Sequence, residues 1–562
     1  MDNDQVATVE TDVVVIGSGS AGSMAALTAR KAGVRVALVD KGGIYRSGCG
    51  AAGEDHFVAV LEKGEEWDTP EVFLKWYHTL SQGLCNPRVV ENSFLRHIKG
   101  LVEYLENLGI KMRLDEEKDD YIRTASYSAP GKYWINFDGI DLPTKIAAES
   151  QKAGVDFFPK TAVTDLIVKD GRIAGVAGLD FRNNILYIFK CKAAILCTSG
   201  VCRLYDNHSG LPYNTWNSPY NTGLAQRAAF EAGAELANME FIGFNITPKN
   251  FGSPGLAGLT GMGAHLVNGQ GERIVFKYHP LGEGGPRWAL CKAVYTEINE
   301  GRGPIYIDAR HLPAKDLEHL LKHLLTVDKK TMQDYLDQKK LDLSKDLFEI
   351  EVTGGEIPPM SGHVSGILVD ENMAATLTGL YAAGGSALSL ITLSGAMCTG
   401  MTAAESAARL AQTISHYAEI DASVLDQIKE RVFRPLENKK GLRAQEVEDK
   451  IRQINSRYVC IGRTAKGLQT ALDDLAVLEN YIPQIQADNG HQLMRCLEVQ
   501  ELLQVSKMIA RGALIREESR FGFSHYRTDF PETKVEWQKM VIQKKAREDV
   551  EITFKPAYQL EN

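Results

Sequence analysis

Six consecutive residues near the start of the chain, Gly17-Ser18-Gly19-Ser20-Ala21-Gly22, have the G-x-G-x-x-G spacing that lays a pyrophosphate against backbone amides. The first glycine allows a tight turn, the second close approach of the phosphates, and the third close packing of a helix on a strand. Free amides at the helix start, and the partial positive charge there, face the anion. Asp40 follows at the distance from which a carboxylate reaches a ribose hydroxyl pair. Together these residues are expected to hold the ADP half of a dinucleotide. A second polar group, Glu54-Asp55-His56, either lines a catalytic site or makes a capped turn.

The elements that must position the glycine turn can be read on both sides of it. An apolar run, Thr11–Ile16, precedes it, a helical stretch, Ala21–Lys31, follows, and a second apolar run, Val34–Val39, ends at Asp40. That is a βαβ unit. Residues 70–115 have helical periodicity. Residues 162–198 read as a strand meander with a turn at Asp170-Gly171. From 240 to 350 the pattern turns irregular, which suggests an inserted domain. Glycine-rich character returns at Gly379–Leu410 and runs into a helix. The last 145 or so residues are mainly helical and charged, read as a solvated face, and end in a less regular tail.

The chain has 562 residues, 44% hydrophobic and 24% charged, enough for two or three domains. A net charge of −9 gives no electrostatic case for nucleic acid. The acidic start, MDNDQVATVETD, lacks the basic and apolar regions of a secretory signal, and no run of about 18 apolar residues predicts a transmembrane segment. The nine cysteines are an odd number without CxxC spacing. They are expected to be reduced thiols of a cytoplasmic protein, holding neither metal nor cluster.

Three further segments carry a resemblance. Lys41-Gly42-Gly43 with Arg46-Ser47-Gly48, Ala193–Gly200, and Gly379-Leu380-Tyr381-Ala382-Ala383-Gly384 resemble the cofactor-contacting segments of the fumarate reductase and succinate dehydrogenase flavoprotein superfamily. Phe230–Phe241, Gly303–Leu312, Ser361–Ile367, Glu518-Ser519-Arg520 and His525–Asp529 are similar to other motifs of that superfamily. The resemblance implies an α/β, Rossmann-like FAD-binding domain in two parts (1–240 and 353–415), interrupted by an α+β capping domain (241–352) and followed by a C-terminal helical domain (416–562). It implies FAD contacts from Lys41, Arg46, Ser47, Gly48, Val163, Thr198, Gly384, Ser386 and Thr399, beside the glycine turn and Asp40. It also implies two catalytic residues: His363, suited to proton exchange, and Arg287, suited to stabilising a developing anion. A buried structural histidine and a salt-bridged arginine are the alternatives.

The departures from that superfamily also carry information. Gly48 stands where a histidine often carries the flavin covalently, so noncovalent FAD is expected. Asn245 replaces a histidine, and Cys398 an arginine that would hold a substrate carboxylate through paired hydrogen bonds. Cys398 is read as a small buried side chain or a reactive thiol. These changes turn the reading away from fumarate and succinate. Arg46-Ser47-Gly48, Trp134–Gly139 and Ser361-Gly362-His363 resemble the adenylylsulfate reductase α-subunit branch, although Gly385 replaces an acid common there. The expected function is a flavoprotein subunit that exchanges a hydride or electron pair with a small anionic substrate. A ferredoxin-like iron–sulfur subunit is the expected electron partner, in a hetero-oligomer. The alternatives are a fumarate reductase-like or L-aspartate oxidase-like enzyme and a noncatalytic flavin electron relay.

Overall fold

The computed structural model describes residues 5–560, apart from 116, 126–128, 208, 216, 254–255, 326–329, 358–363, 391 and 548. Its centre is a five-stranded parallel sheet in the order Leu380–Ala382, Ala193–Leu196, Val13–Ile16, Val36–Asp40, Asp156–Pro159. Four of the five strands are buried along their whole length. They therefore read as unbroken apolar runs, as strands covered on both faces must. The helix Ser20–Lys31 follows the central strand and packs on the long helix Leu393–Thr413, which follows the outermost strand at 380–382. The two glycine-rich segments, far apart in sequence, thus end at the same edge of one sheet.

A second sheet joins Gln5–Glu10, Ile185–Lys190, Arg172–Asp180 and Thr161–Lys169. The meander expected over 162–198 forms through its third strand. Its last strand, Ala193–Leu196, leaves it for the central sheet. Ala-Ala-Ile-Leu has no alternation and suits a site buried on both faces.

The inserted segment is more regular than its sequence suggests. Gly243–Pro248, Phe348–Glu356, Ile305–Asp308 and His265–Val267 form an antiparallel sheet, and the helix Arg287–Asn299 packs on it. The strand Phe348–Glu356 runs through the boundary expected at 352, so the sheet holds this part of the chain together up to Glu356.

Two expectations for the C-terminal part are corrected. The less regular tail is a hairpin, Lys539–Ala546 and Asp549–Pro556, that extends a sheet containing Leu236–Ala237 and Gly366–Ile367. Nor do the charges simply face solvent, since Glu448, Arg452, Glu498, Glu501, Arg516 and Arg527 are buried. Burial is tolerated because the charges meet one another. Arg203 bridges Glu448 at 3.0 Å and Glu498 at 3.1 Å. Arg516 bridges Glu240 at 2.7 Å and Glu518 at 3.0 Å. These partners lie two to about three hundred residues apart, which no helical periodicity reveals. Among the described residues no helix is long and apolar enough to cross a membrane.

Candidate active site

The turn between the central strand and its helix is built by sterics. Gly17 has φ +97°, and a Cβ there would lie 2.6 Å from the Cys197 carbonyl oxygen. A Cβ on Gly22 would overlap the Gly17 carbonyl oxygen and press on Cys197 Cβ. Gly19 caps the helix with no side-chain hydrogen bond, which leaves the amides of the first turn, Ser20-Ala21-Gly22, without a capping side chain among the described residues. Above Gly19 the nearest atoms to a notional Cβ are Gly48 Cα and Ser47 O, both at 4.0 Å. Two glycines therefore face each other across an open ledge beside an uncapped helix start. That geometry fits the pyrophosphate of a dinucleotide.

Asp40 organises this ledge. Its carboxylate accepts hydrogen bonds from the Ser18 amide at 2.6 Å, Ser18 Oγ at 3.0 Å, the Gly42 amide at 2.5 Å and Ser47 Oγ at 2.9 Å. It thus ties the turn to the loop that carries Gly48. From the other side, Thr399 Oγ1 accepts from the Gly384 amide at 3.0 Å, and a Cβ on Gly384 would come 3.0 Å from Ala21 Cβ. Ser386 Oγ donates to Ser199 O at 3.2 Å, and Thr198 Oγ1 accepts from the Ala225 amide. The residues expected at the cofactor from 17–22, 40, 47–48, 198, 384, 386 and 399 are brought together. Val163 is buried on its strand at a register irregularity.

Two expected cofactor side chains are engaged elsewhere. Lys41 Nζ donates to Thr222 Oγ1 and Glu498, each at 2.9 Å. Its ammonium anchors the long C-terminal helix Gly490–Ile515 to the cofactor loop, and Lys41, Arg203 and Arg495 hold the buried Glu498 carboxyl down to about 2 against its desolvation. Arg46 donates to Ala51 O at 2.9 Å and Ile140 O at 3.0 Å, bracing the loop from outside.

The insertion carries the catalytic candidate Arg287. Arg287 opens its helix, is buried, and donates from Nη1 to Asn245 Oδ1 on the neighbouring strand. Cys49, next to Gly48, is exposed, and Asn221 Nδ2 lies 3.3 Å from its sulfur. Cys398 is fully buried and its thiol pKa is pushed up by desolvation, which supports the structural reading of the two. Asp55 is buried 2.7 Å from His56 Nδ1, and the adjoining segment pairs with Trp134–Asn136, so this acidic turn is tied into a small sheet. His363 lies outside the described residues.

One residue here was not anticipated. Glu356 is buried at the end of its strand and accepts from Asn217 Nδ2 at 2.6 Å. Desolvation raises its carboxyl to about 7, against the opposing effects of the Asn217 hydrogen bond and the Arg287 charge. The only sequence signal is an acid directly after Gly354-Gly355. Because ionisation is harder in the folded state, it destabilises the fold progressively from about pH 4.5 and fully above about pH 7. Glu356→Gln is therefore expected to equal wild type at pH 4 and exceed it at pH 8 by on the order of 2 to 3 kcal/mol. Urea unfolding at the two pH values measures this, and equal stabilities at pH 8 would refute it.

Residues 12–406 match the family described as FAD binding domain, and residues 448–560 the family described as fumarate reductase flavoprotein C-term. The chain is 27% identical to a subunit of fumarate reductase (CoM/CoB) from Methanothermobacter marburgensis, over 95% of this chain and 97% of that one. It is 24% identical to L-aspartate oxidase from Synechocystis sp., over 94% and 96%. Among solved structures, adenylylsulfate reductase from Archaeoglobus fulgidus superposes with a TM-score of 0.88 at 24% identity, covering 100% of this chain and 97% of that one. Quinol fumarate reductase from E. coli superposes with a TM-score of 0.83 at 22% identity, covering 98% and 97%.

Proposed function

The chain belongs to the FAD-binding family of fumarate reductase-type flavoproteins and is an FAD-dependent oxidoreductase; on that premise we propose that it exchanges an electron pair between noncovalently bound FAD and a small anionic substrate held by Arg287. The observation that carries this reading is the buried guanidinium at the head of the helix Arg287–Asn299, packed on the insertion sheet beside Asn245 and Glu356. A buried cation in an enclosed cleft attracts an anion strongly because little solvent screens it. With Cys398 buried in the position expected for a second arginine, one anionic end is better served than two. That favours a substrate like that of the adenylylsulfate reductase branch over a dicarboxylate.

In this mechanism the glycine ledge, Asp40, Ser47 and Thr399 would hold the cofactor, and Gly48 offers no side chain to bond it covalently. Bound FAD supplies two-electron chemistry at its flavin ring. The protein orients the anion through Arg287 and excludes water by closing the insertion over the cleft. His363 stays a proposed proton-exchange residue. Two of the relatives carry names that make them components of complexes, one of them a fumarate reductase flavoprotein subunit. We extend that arrangement to this chain, with a separate ferredoxin-like iron–sulfur protein as electron partner.

The test is anaerobic reoxidation of the photoreduced holoprotein by adenylyl sulfate, fumarate or oxygen, followed by flavin absorbance. Adenylyl sulfate is expected to reoxidise it fastest, and Arg287→Gln to slow that reaction by about a hundredfold to a thousandfold with FAD retained. An unchanged rate in that variant would sink the role of Arg287. Reoxidation by a ferredoxin-type protein alone would make the chain an electron relay. Oxygen with stoichiometric peroxide would make it an oxidase.

A further inference from the structure

The strand Phe348–Glu356 pairs regularly with Gly243–Pro248 until its last residues. Phe244 lies opposite Gly354, while Gly243 lies opposite Glu356, so Gly355 is an extra, bulged residue. Gly354 and Gly355 have φ of +133° and +111°, and the ring of Tyr205 occupies the space where a Gly355 side chain would be. Such bulges re-aim the following side chain and recur next to active sites. Directly beyond, Ile357 exchanges two backbone hydrogen bonds with Val201: the Val201 amide to Ile357 O at 2.7 Å and the return bond at 3.2 Å. The Glu356 backbone is thereby clamped between the insertion sheet and the loop that returns to the cofactor.

The side chain set by this clamp meets groups from three other segments. Asn217 donates to it from the loop after Val201, and Arg287 reaches it electrostatically from its helix. The carboxyl also acts on Cys49 in the cofactor loop and on Cys202, two thiols that its charge makes harder to ionise. Cys49 feels Glu54 as well, and Cys202 feels Arg203. Among the described residues, Arg287 is the charge that acts on Glu356 itself.

We propose that Glu356 is the proton-exchanging group of this cleft: it takes up a proton when an anion binds at Arg287 and passes that proton to the substrate. This rests on Arg287 being the anion site. A carboxylate and an anionic substrate compete for one guanidinium. Binding the anion therefore favours the neutral carboxylic acid, by reciprocal linkage. The loaded proton is then in place: its O–H bond breaks as a bond to hydrogen forms on the substrate oxygen that gains negative charge, and bound reduced FAD would supply the electron pair. The carboxylate left behind regains a proton from water after product leaves. The neutral range given above for Glu356 places this exchange near physiological pH.

The test titrates oxidised holoprotein with inorganic sulfate as the anion probe. Binding is read by perturbation of the flavin absorbance, and proton uptake by an indicator dye in weakly buffered solution. Wild type is expected to take up close to one proton per sulfate bound around pH 7, with affinity falling roughly tenfold per pH unit above that. Glu356→Gln, a neutral isostere, is expected to bind sulfate at all these pH values and take up none. Asn217→Ala, which removes the donor that favours the carboxylate, is expected to move the uptake midpoint to higher pH. Wild type that binds sulfate without proton uptake overturns the proposal, as does the same uptake in Glu356→Gln. No binding of sulfate by wild type at pH 6 overturns the assignment of Arg287 as an anion site, and this proposal with it.

Discussion

Purified Gly22→Val protein is expected to be colourless. A Cβ at this position would overlap the carbonyl oxygen of Gly17, which belongs to the same turn, and would press on Cys197 Cβ in the next strand of the sheet. Neither neighbour is the free end of a flexible side chain, so the helix Ser20–Lys31 must move away from the turn. That helix start is the end proposed to face the pyrophosphate, and the helix packs on Leu393–Thr413. Overpacking of this kind costs about 1 to 3 kcal/mol or more, which corresponds to roughly tenfold to a hundredfold weaker FAD binding if the strain is borne by the turn. The measurement is flavin absorbance per chain after gel filtration, with far-ultraviolet circular dichroism to check folding. Gly100→Ala is the control, because a Cβ on Gly100 meets nothing within 4 Å. Full FAD occupancy in Gly22→Val would mean that the cofactor does not depend on this turn.

Arg516→Met is expected to cause the largest loss of stability. The Arg516 side chain is wholly buried and donates to Glu240 at 2.7 Å, Glu518 at 3.0 Å, Trp537 O at 3.0 Å and Lys539 O at 2.8 Å. Removing it strands the buried Glu240 carboxylate and two backbone carbonyls, while Glu518 keeps Arg520, a change that costs about 3 to 5 kcal/mol. The same side chain joins the C-terminal hairpin to the segment 238–240, which leads into the strand bearing Asn245. Urea unfolding should show a lower midpoint. Adding Glu240→Gln should recover part of the loss, since it removes the stranded charge. A midpoint unchanged by Arg516→Met would refute the account. Glu518, Arg520 and Arg527 have the same character: each is buried and paired, so this part of the C-terminal signature reads as a structural knot.

Much of the cofactor ledge was legible because its signals are local. A strand, a glycine turn, a helix and a second strand lie within Val13–Asp40, and the requirements of each act on near neighbours in the chain. The second glycine-rich segment at 379–384 was legible for the same reason. Composition and pattern suggest an inserted domain at 240–350 but not the sheet found there, because strands as short as His265–Val267 leave little alternation to detect. The side chains of Lys41 and Arg46 were read toward the cofactor, whereas Lys41 is claimed by Glu498, 457 residues away. No spacing rule links such partners.

The glycine turn and Asp40 mark the limit of what the sequence by itself determined: a dinucleotide-binding βαβ unit, since glycine spacing and apolar runs express constraints within a few turns of chain. Only the tertiary structure decided the rest of the site. It set Arg287 against Asn245, placed Glu356 after a bulge at Gly355 where Asn217 bonds it and the Arg287 charge reaches it, and buried the C-terminal charges in mutual contact. Those outcomes depend on charge, solvent exclusion and close packing between segments hundreds of residues apart. These are properties of the folded interior, and the order of residues along the chain does not display them.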